Sequence, residues 1–407
     1  MVGGVDIMRI KKYMKEHVPI EIQRILYLIR GKLTLESLEY VITRPCRVKR
    51  NKVVFCNVWG NGFGDNPKYI ALELIKYNKF DIVWLTKDMN DFSIPNGIRK
   101  VQYGSFQAVK ELATAKVWVD NARKSMATIK RKNQYYIHTG HGGMSLKRVE
   151  ADAPAESLGM WYLTMAQHDS KQFDLMISNS MIKTSICKHS YWYDGEVAEW
   201  GSPKIEALKK VDKALEKNVK SKYDVDEKCQ IALYAPTFRN NTQNLNFMIK
   251  DYKSLQNALR KKFGGDWKIF VRLHPNWTSL DKNLKIDSDC MINVTQHSDM
   301  QELLTVSSVL ITDYSGTMFE MMQIEKPVFL FAPDKDEYDR GFYFNMEELP
   351  FQVSQKQQEL LENILDFSEQ KYLEKISEFK KKIGLIEEYG AAKKCAERIY
   401  EVAFGEK

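Results

Sequence analysis

Short apolar runs alternate with helical stretches from residue 52 to the end of the chain. The apolar residues within most of these runs are continuous rather than alternating, which is typical of parallel strands covered on both faces. The pattern therefore predicts two groups of buried parallel strands. The first group is 53–59, 82–85, 117–120, 135–139 and 175–178, and the second group is 231–235, 268–273, 291–294, 309–312 and 328–331.

Helical periodicity fills the segments between the predicted strands. The clearest predicted helices are 67–77, 105–115, 251–263, 300–306, 354–381 and 387–403. Because strands alternate with helices in two groups, we predict an α/β protein with two doubly wound, Rossmann-type domains that face a cleft. The boundary is placed near Gly201-Ser202-Pro203, before a Lys-rich helix at 204–220. The predicted parts are a helical segment at 1–51, a first domain at 52–203 and a second domain at 204–407.

The N-terminal segment is both basic and amphipathic. Residues 1–52 hold twelve Lys or Arg and five acidic residues, which accounts for most of the formal net charge of +8. Its apolar residues recur at helical spacing in two stripes, Ile7, Ile10, Tyr13 and Met14, then Ile22, Ile25, Leu26 and Ile29. This pattern is typical of elements that bind an anionic membrane surface, although a solvated helix packed on the core has the same pattern. Charge concentrated at one end does not indicate a nucleic-acid-binding protein.

The whole chain has 407 residues, of which 44% are hydrophobic and 28% charged. This composition is typical of a two-domain globular enzyme. Six scattered cysteines lack the C-x-x-C spacing of zinc sites, so we expect reduced, buried thiols. No apolar run reaches the length of a signal peptide core or a membrane span. We therefore expect a peripheral protein on the cytoplasmic face of the cell membrane.

Two predicted strands end near a histidine. The first leads into Gly140-His141-Gly142-Gly143, whose glycines expose the imidazole and let the backbone approach a ligand. Such a histidine can act as a general base, although a structural role is at least as common. The second leads into Arg272-Leu273-His274-Pro275, where alternation places Arg272 and His274 on one side. A cation beside an imidazole suits a diphosphate, although a histidine that caps the sheet is an equal alternative.

A strand, a turn of small residues and a helix occupy 309–320. The turn, Thr312-Asp313-Tyr314-Ser315-Gly316-Thr317, offers hydroxyl donors beside the free N–H groups of a helix start. We interpret the turn as a site for an anion, with a plain helix cap as the alternative. It is not a Walker loop, because no Gly-Lys-Ser/Thr sequence follows.

Two further loops are candidates for substrate contact. A glycine-rich loop, 59–68, follows the first strand, but its spacing is not the dinucleotide fingerprint, so no nicotinamide cofactor is expected. We expect this loop to face an acceptor across the cleft. The aromatic and charged loop 338–343 either contacts a base or sugar or forms a packed turn, and the sequence favours neither.

In this order and spacing, the motifs resemble the CDP-glycerol glycerophosphotransferase family of teichoic-acid primases and polymerases over roughly residues 53–400. No single match is decisive, but the joint order is specific. The matching segments are Asn66-Pro67-Lys68, Gly140 to Lys147, Asp194-Gly195-Glu196 through Gly201-Ser202-Pro203-Lys204, Tyr234 to Arg239, Arg272 to Pro275, Thr312 to Ser315, and Arg340-Gly341-Phe342-Tyr343.

The resemblance implies the GT-B architecture, with His141 as general base and His274 as a ligand of the donor phosphate. The residues assigned to donor binding are Thr237, Arg239, Arg272, Thr312, Asp313, Tyr314, Ser315, Gly316, Thr317 and Arg340. The residues assigned to the acceptor side are Gly62, Gly64, Asn66, Lys68 and Lys147. The chain departs from the family motifs at Gly140 (Trp in the family), at Gly143-Met144 (Thr-Pro) and at Gly316 (Ser).

The sequence thus predicts transfer of a polyol phosphate, glycerol phosphate first, from a CDP-linked donor to a hydroxyl of a membrane-linked wall or capsule polymer or lipid, with release of CMP. CDP-ribitol is the alternative donor. A GT-B sugar-nucleotide glycosyltransferase or epimerase and a non-catalytic partner in polymer assembly are the rival functions. The sequence contains no evident cluster of carboxylates for a metal, so no cofactor and no divalent metal are expected.

Overall fold

The structure is a computed structural model that describes residues 18–141, 143–154, 157–210, 212–239, 248–273, 289–338, 341–387 and 390–405. The predicted site residues His274 and Arg340 and the first apolar stripe lie outside these ranges. Within these ranges no helix combines the length and the apolar character that a bilayer crossing requires.

The first sheet has seven parallel strands in the order β3-β2-β1-β4-β5-β6-β7. The strands are β1 (Lys49–Cys56), β2 (Asp81–Thr86), β3 (Ile98–Gln102), β4 (Ala115–Asp120), β5 (Tyr135–His138), β6 (Leu175–Ile177) and β7 (Glu196–Ala198). The register pairs Val53 of β1 with Ile82 of β2 and Val117 of β4, and all three side chains are buried. The continuous apolar pattern of these strands therefore reflects helices on both faces.

The second sheet has six parallel strands in the order β10-β9-β8-β11-β12-β13. The strands are β8 (Gln230–Ala235), β9 (Trp267–Val271), β10 (Met291–Asn293), β11 (Val309–Thr312), β12 (Val328–Phe331) and β13 (Gln352–Ser354). Counted within this sheet, the order is 3-2-1-4-5-6, as in dinucleotide-binding Rossmann domains. In both sheets the order reverses beside the central strand, and ligands of such sheets bind beyond the carboxyl ends of the strands at that point.

Fourteen α-helices of the described residues connect and cover the strands. They are α1 (Ile20–Lys32), α2 (Leu35–Thr43), α3 (Asp65–Ile75), α4 (Phe106–Thr114), α5 (Met160–Ser170), α6 (Met181–His189), α7 (Pro203–Leu208), α8 (Lys213–Lys222), α9 (Tyr252–Phe263), α10 (Met300–Val306), α11 (Thr317–Gln323), α12 (Gln357–Leu365), α13 (Glu369–Lys382) and α14 (Ala391–Phe404). Helix α14 returns to the first sheet, where Cys395, Ala396 and Ile399 join its core.

Three strands were missed in the sequence, and two predicted helices are divided. The missed strands β3, β7 and β13 all lie at sheet edges, where one face or one side meets solvent and polar residues are tolerated. The predicted helix 204–220 is α7 and α8, and the predicted helix 354–381 is α12 and α13. Ser368 caps α13 by accepting a hydrogen bond from the Lys371 N–H, so a new helix begins there. The apolar periodicity of the sequence continues across this point and had predicted one helix.

Candidate active site at the contact between the two sheets

His141 lies directly beyond the carboxyl end of β5. The chain turns at Gly140, whose φ of +64° favours glycine, and the His141 side chain is 69% exposed. Its Nδ1 lies 2.9 Å from Oδ2 of Asp65. This pairing holds the ring by one nitrogen and leaves Nε2 directed away from Asp65, as required of a general base that a carboxylate orients.

Asp65 is a buried residue at the first turn of α3, and its φ of +57° is unusual for a residue with a side chain. Lys204, also buried, places its ammonium 3.3 Å from Asp65 and 2.7 Å from Glu320 of α11. Burial alone would raise the pKa of Asp65, but Lys204 and His141 lower it well below its ordinary value. Asp65 is therefore ionised, and a line of alternating charges connects His141 to the second sheet.

The glycine-rich loop 59–68 faces the second domain. A Cβ at Gly62 would lie 3.2 Å from Cβ of Ser298, and a Cβ at Gly64 would lie 3.5 Å from the Asp299 carboxylate. Lys68 pairs with the same Asp299 at 2.6 Å and with Glu302 at 3.0 Å. The structure therefore places these three acceptor-side candidates at a contact between domains.

Asn66 ties the same loop to the segment that joins the two sheets. Its Oδ1 accepts hydrogen bonds from Ser202 Oγ at 3.0 Å and from the Lys204 N–H at 3.2 Å. Asn66 and Ser202 also line a small cavity with Thr139, Gly143 and Asn179, next to the His141 loop. Asn66 thus borders the space beside His141.

The predicted donor residues of β8 and β11 form one hydrogen-bonded network. The Thr237 N–H donates to both oxygens of Asp313, at 2.9 and 3.0 Å. Arg239 pairs with Asp313 at 2.9 Å and with Asp334 at 2.6 Å. Thr312 Oγ1 donates to the Ala235 carbonyl at 2.7 Å. Because these polar groups satisfy each other, they hold the loops after β8 and β11 in place.

The hydroxyl groups beside this network are more open to a ligand. Thr237 Oγ1 is a buried atom without a hydrogen-bond partner in the part of the chain that the structure describes. Ser315 and Thr317 are half-buried, and their hydroxyls lie 2.9 Å from each other. These three hydroxyls border the turn that precedes α11, so they are the groups of the network best placed to donate to a phosphate oxygen.

The segment after His141 touches this turn. A Cβ at Gly316 would lie 2.7 Å from the carbonyl oxygen of Met144, which is closer than real Cβ contacts. Two departures from the family motifs, Gly316 and Met144, therefore meet at one point, and the close approach requires glycine at 316. Met144 and Leu146 also lie in the core of the second sheet. The two motifs predicted from sequence are thus brought together.

The described residues of the aromatic loop, Tyr338 and 341–343, pack against neighbouring elements. The ring of Tyr314 lies 4.0 Å from that of Tyr338 and 5.4 Å from that of Phe342, between centroids. Lys147 and Phe342 form an antiparallel bridge between the two domains, and the Tyr343 hydroxyl donates to Asp152 at 2.8 Å. Of the two alternatives for this loop, the described part supports the packed turn.

Arg272 follows β9 and is half-buried. Its Nη2 donates to the Ser298 carbonyl at 3.4 Å, near the contact with Gly62. Burial lowers the pKa of Arg272 below its ordinary value, and the charge of Asp299 partly offsets that effect. The guanidinium keeps its positive charge, since arginine remains protonated in proteins.

The family is decided by a match over nearly the whole chain. The family model described as CDP-glycerol:poly(glycerophosphate) glycerophosphotransferase matches residues 38–402. The chain belongs to this family. The predicted family is confirmed by this match.

Two relatives show how the family match extends over individual proteins. A teichoic acid poly(glycerol phosphate) polymerase of Staphylococcus epidermidis is 30% identical over 367 residues, which cover 86% of this chain and 50% of the relative. A teichoic acid glycerol-phosphate transferase of Staphylococcus aureus is 25% identical over 375 residues, covering 86% of this chain and 93% of the relative. This chain therefore spans half the length of the first relative and nearly all of the second.

The fold agrees with a solved member of the family. The structure of the wall teichoic acid polymerase TagF matches with a TM-score of 0.80 and 26% identity, covering 94% of this chain and 98% of that chain. The predicted GT-B architecture is confirmed by this match and by the two parallel sheets. A UDP-GlcNAc 2-epimerase from Neisseria meningitidis matches with a TM-score of 0.50 and 13% identity, covering 86% of this chain and 100% of that chain, which shows a shared fold alone.

Three charged residues of the candidate site were not assigned a role from the sequence. Asp65, Lys204 and Glu320 are distant along the chain, and only the fold brings their charges together. Asp65 lies inside the glycine-rich loop and Lys204 ends the matched segment Gly201-Ser202-Pro203-Lys204, so both belong to recognised motifs, but neither was assigned a role in the site. Glu320 lies one helical turn after the predicted anion-binding turn and carried no signal of its own. Its pKa is raised by burial, partly offset by Lys204.

In the part of the chain that the structure describes, no cluster of three or more histidine, cysteine or acidic side chains has the arrangement of a metal site. The expectation of activity without a divalent metal stays a prediction.

Proposed function

We propose that this protein transfers glycerol phosphate from CDP-glycerol to a hydroxyl of a membrane-linked poly(glycerol phosphate) or related acceptor, with release of CMP. The observation that carries the proposal is the His141–Asp65 pair, at 2.9 Å, on a loop whose continuation touches the turn at Gly316. Attack by a hydroxyl on a bound phosphate group requires a general base and a phosphate-binding turn that lie close together, as these two segments do. The printed names of the relatives, which are polymerases and transferases of glycerol phosphate, support the choice of polyol.

In the proposed reaction the donor diphosphate lies against Ser315, Gly316 and Thr317. The acceptor hydroxyl loses its proton to Nε2 of His141 as its oxygen attacks the β-phosphorus, and the bond from that phosphorus to the CMP oxygen breaks. The electron pair of that bond leaves with CMP. A positioned general base contributes roughly 10²–10⁴-fold to the rate.

The charge on the leaving CMP needs a cation on the donor side. Arg272 is the described candidate, and His274, implied by the family motif, is the second. Arg239 is a weaker candidate, because Asp313 and Asp334 already neutralise its charge. Electrostatic stabilisation of this kind rivals the general base in magnitude.

The activity is tested with the purified chain and a panel of labelled donors. CDP-glycerol, CDP-ribitol and UDP-sugars are each incubated with a poly(glycerol phosphate) primer, with EDTA in a parallel set. We expect CMP from CDP-glycerol, a product longer by glycerol phosphate units in mass spectra, and the same rate in EDTA. UDP release would establish the sugar-nucleotide alternative. Turnover of CDP-ribitol without turnover of CDP-glycerol would show that the transferred polyol is ribitol. Loss of activity in EDTA would refute the metal-free reaction.

We also propose that α1 and α2 bind an anionic membrane surface. Nine large apolar side chains of these two helices are exposed, and so is Leu33 between the helices; the nine are Ile20, Ile22, Ile25, Leu26, Ile29, Leu35, Leu38, Val41 and Ile42. Leu33 and Leu35 are 79% and 73% exposed, far more than an ordinary packed helix leaves in water. Exposed Arg30, Lys32 and Arg44 accompany them, which gives the charge that anionic lipid headgroups attract.

The membrane proposal is tested by flotation with vesicles of phosphatidylglycerol and phosphatidylcholine. Removing 1–50 would also remove Tyr40, which is part of the core of the first sheet, so substitutions are the cleaner test. The variant Leu33→Glu with Leu35→Glu should float at least about 10-fold less, because each buried apolar side chain contributes about 1.5–3 kcal/mol. Leu373→Glu, an exposed leucine of α13, is the control and should float as the parent protein. Equal flotation of all three proteins would remove the proposal.

A further inference from the structure

Buried basic side chains of the described residues almost all have a carboxylate partner. Seven lysines or arginines are buried, and six of them form an ion pair. The six pairs are Lys52 with Glu111, Arg123 with Glu150, Lys124 with Asp120, Lys204 with Asp65 and Glu320, Lys220 with Glu216, and Arg239 with Asp313. The seventh, Lys183, is 5% exposed and has no carboxylate or hydrogen-bond acceptor at its ammonium within the described part of the chain.

Lys183 lies in the first turn of α6, against the loop that carries His141. A Cβ built on Gly140 would lie 3.6 Å from its Nζ, so the ammonium is in contact distance of the residue that precedes His141. The ammonium also makes a cation–π contact with the ring of Tyr191, whose centroid is 5.1 Å away. A cation–π contact compensates a buried charge far less than an ion pair does, so the described residues leave this ammonium without an anion.

A second buried polar group lies against the same loop. Oδ1 of Asn179, between β6 and α6, is buried and has no hydrogen-bond partner among the described residues. A Cβ at Gly143 would lie 2.5 Å from Nδ2 of this asparagine, so the amide is directly against the other end of the His141 loop. Asn179 also lines the small cavity that Asn66 and Thr139 border. A buried acceptor of this kind requires a donor, such as a hydroxyl group.

We propose that Lys183 and Asn179 form a subsite for a phosphorylated polyol, with a phosphate oxyanion at the Lys183 ammonium and a hydroxyl group donating to Asn179 Oδ1. The subsite flanks His141 on the first domain, opposite the donor turn, so the terminal unit of a glycerol phosphate acceptor is the ligand that satisfies both groups. This inference rests on the proposed function for the identity of the acceptor. The β-phosphate of the donor has the same chemistry, and the kinetic test below separates the two sources.

Equilibrium binding of sn-glycerol 3-phosphate, measured by calorimetry, tests the subsite without turnover. Lys183→Met should weaken binding about 10-fold or more, because a charge-assisted hydrogen bond is lost. Lys188→Met, an exposed lysine of the same helix, is the matched control and should bind as the parent protein. Asn179→Ala should remove the preference for glycerol phosphate over inorganic phosphate. Unchanged binding in Lys183→Met would overturn the proposal.

Thermal unfolding separates a ligand-binding lysine from a structural one. Replacing an unpaired buried charge by an apolar side chain of similar length should leave the melting temperature unchanged or raise it. Lys183→Met should therefore combine weaker binding with undiminished stability. A clear loss of stability in Lys183→Met would identify a structural lysine and contradict the proposal.

Steady-state kinetics identify the source of the phosphate. With a glycerol phosphate oligomer as acceptor, Lys183→Met should raise the acceptor KM about 10-fold and leave the CDP-glycerol KM unchanged. A raised CDP-glycerol KM alone would keep the phosphate subsite but assign it to the donor. Absence of CMP release by the parent protein would refute the proposed function, whereas the binding comparison would still decide the subsite.

Discussion

The two sides of the cleft satisfy their polar groups in different ways. On the donor side Asp313 is shared by the Thr237 N–H and Arg239, and Asp334 pairs with Arg239 and Tyr314. On the acceptor side the His141 ring is exposed, and among the described residues Lys183 has no anion and Asn179 Oδ1 has no donor. The charged groups of the donor side are therefore paired before a ligand binds, and only the Thr237 hydroxyl lacks a partner among its described residues, whereas the acceptor edge has a charged group that no described carboxylate satisfies.

The largest expected effect is on the acceptor side. His141→Ala should lower kcat at least about 100-fold, because the general base is lost. CDP-glycerol binding, measured by calorimetry, should stay within about 2-fold of the parent protein, since the donor turn does not use His141. His274→Ala, a substitution at the residue that the family motif assigns to the donor phosphate, should lower kcat to a similar extent. Near-normal rates would remove either assignment, and lost donor binding in His141→Ala would contradict the separation of the two sides.

A smaller loss is expected at the residue that orients His141. Asp65→Asn should lower kcat at least about 10-fold with little change in KM, because an amide can donate to Nδ1 and so favour the wrong tautomer. The ¹⁵N shifts of His141 should report that change of tautomer. Asp81→Asn, which breaks an ion pair with Arg99 on the same domain, is the control. A purely structural Asp65 would leave the ¹⁵N shifts of the folded variant unchanged.

The contact between the two sides can be broken at Gly316. A Cβ there meets the Met144 carbonyl oxygen, so Gly316→Ala should displace the turn from the His141 segment and cost about 1–3 kcal/mol of unfolding free energy. Urea unfolding measures the cost, and CMP release should fall with it. Gly159→Ala is the control, because a Cβ at Gly159 has open space and an ordinary φ of −66°. Equal stability of the two variants would show that the contact is dispensable.

The smallest effect concerns the ion pairs between Lys68 and the second domain. Burial alone would raise the pKa of Glu302, but His297 and Lys68 lower it from 4.5 to about 2. A carboxyl group whose pKa is lower in the folded than in the unfolded protein stabilises the fold at pH values above its unfolded pKa. That stability is lost as the pH falls toward 2.

Glu302→Gln should therefore lower the unfolding free energy by about 1–2 kcal/mol at pH 7, after allowance for solvent screening. The difference from the parent protein should shrink between pH 4.5 and pH 2. Urea unfolding at several pH values measures it. A difference that is constant over this pH range would show that the ion pair is not its source.

Local patterns were sufficient for most of the central strands and for the motif loops. Continuous apolar runs identified β1, β2, β4 and β8, because burial on both faces excludes polar residues from central strands. Edge strands such as β13, Gln352–Ser354, were not predicted, because one side of an edge strand has no neighbouring strand and polar residues are tolerated in it. The recognised His141 and Ser315 motifs were local strand–loop patterns, so they could be read without a fold.

Two doubly wound sheets, the family and the motif loops could be predicted from the amino-acid sequence, because they follow from periodicity and from contiguous motifs. Which distant charges meet depends on the folded chain. The links from His141 to Asp65, from Asp65 to Lys204 and from Lys204 to Glu320 join residues far apart in the chain. The isolation of Lys183 also depends on the fold, since a partner or its absence is a property of distance in space, which no local pattern encodes.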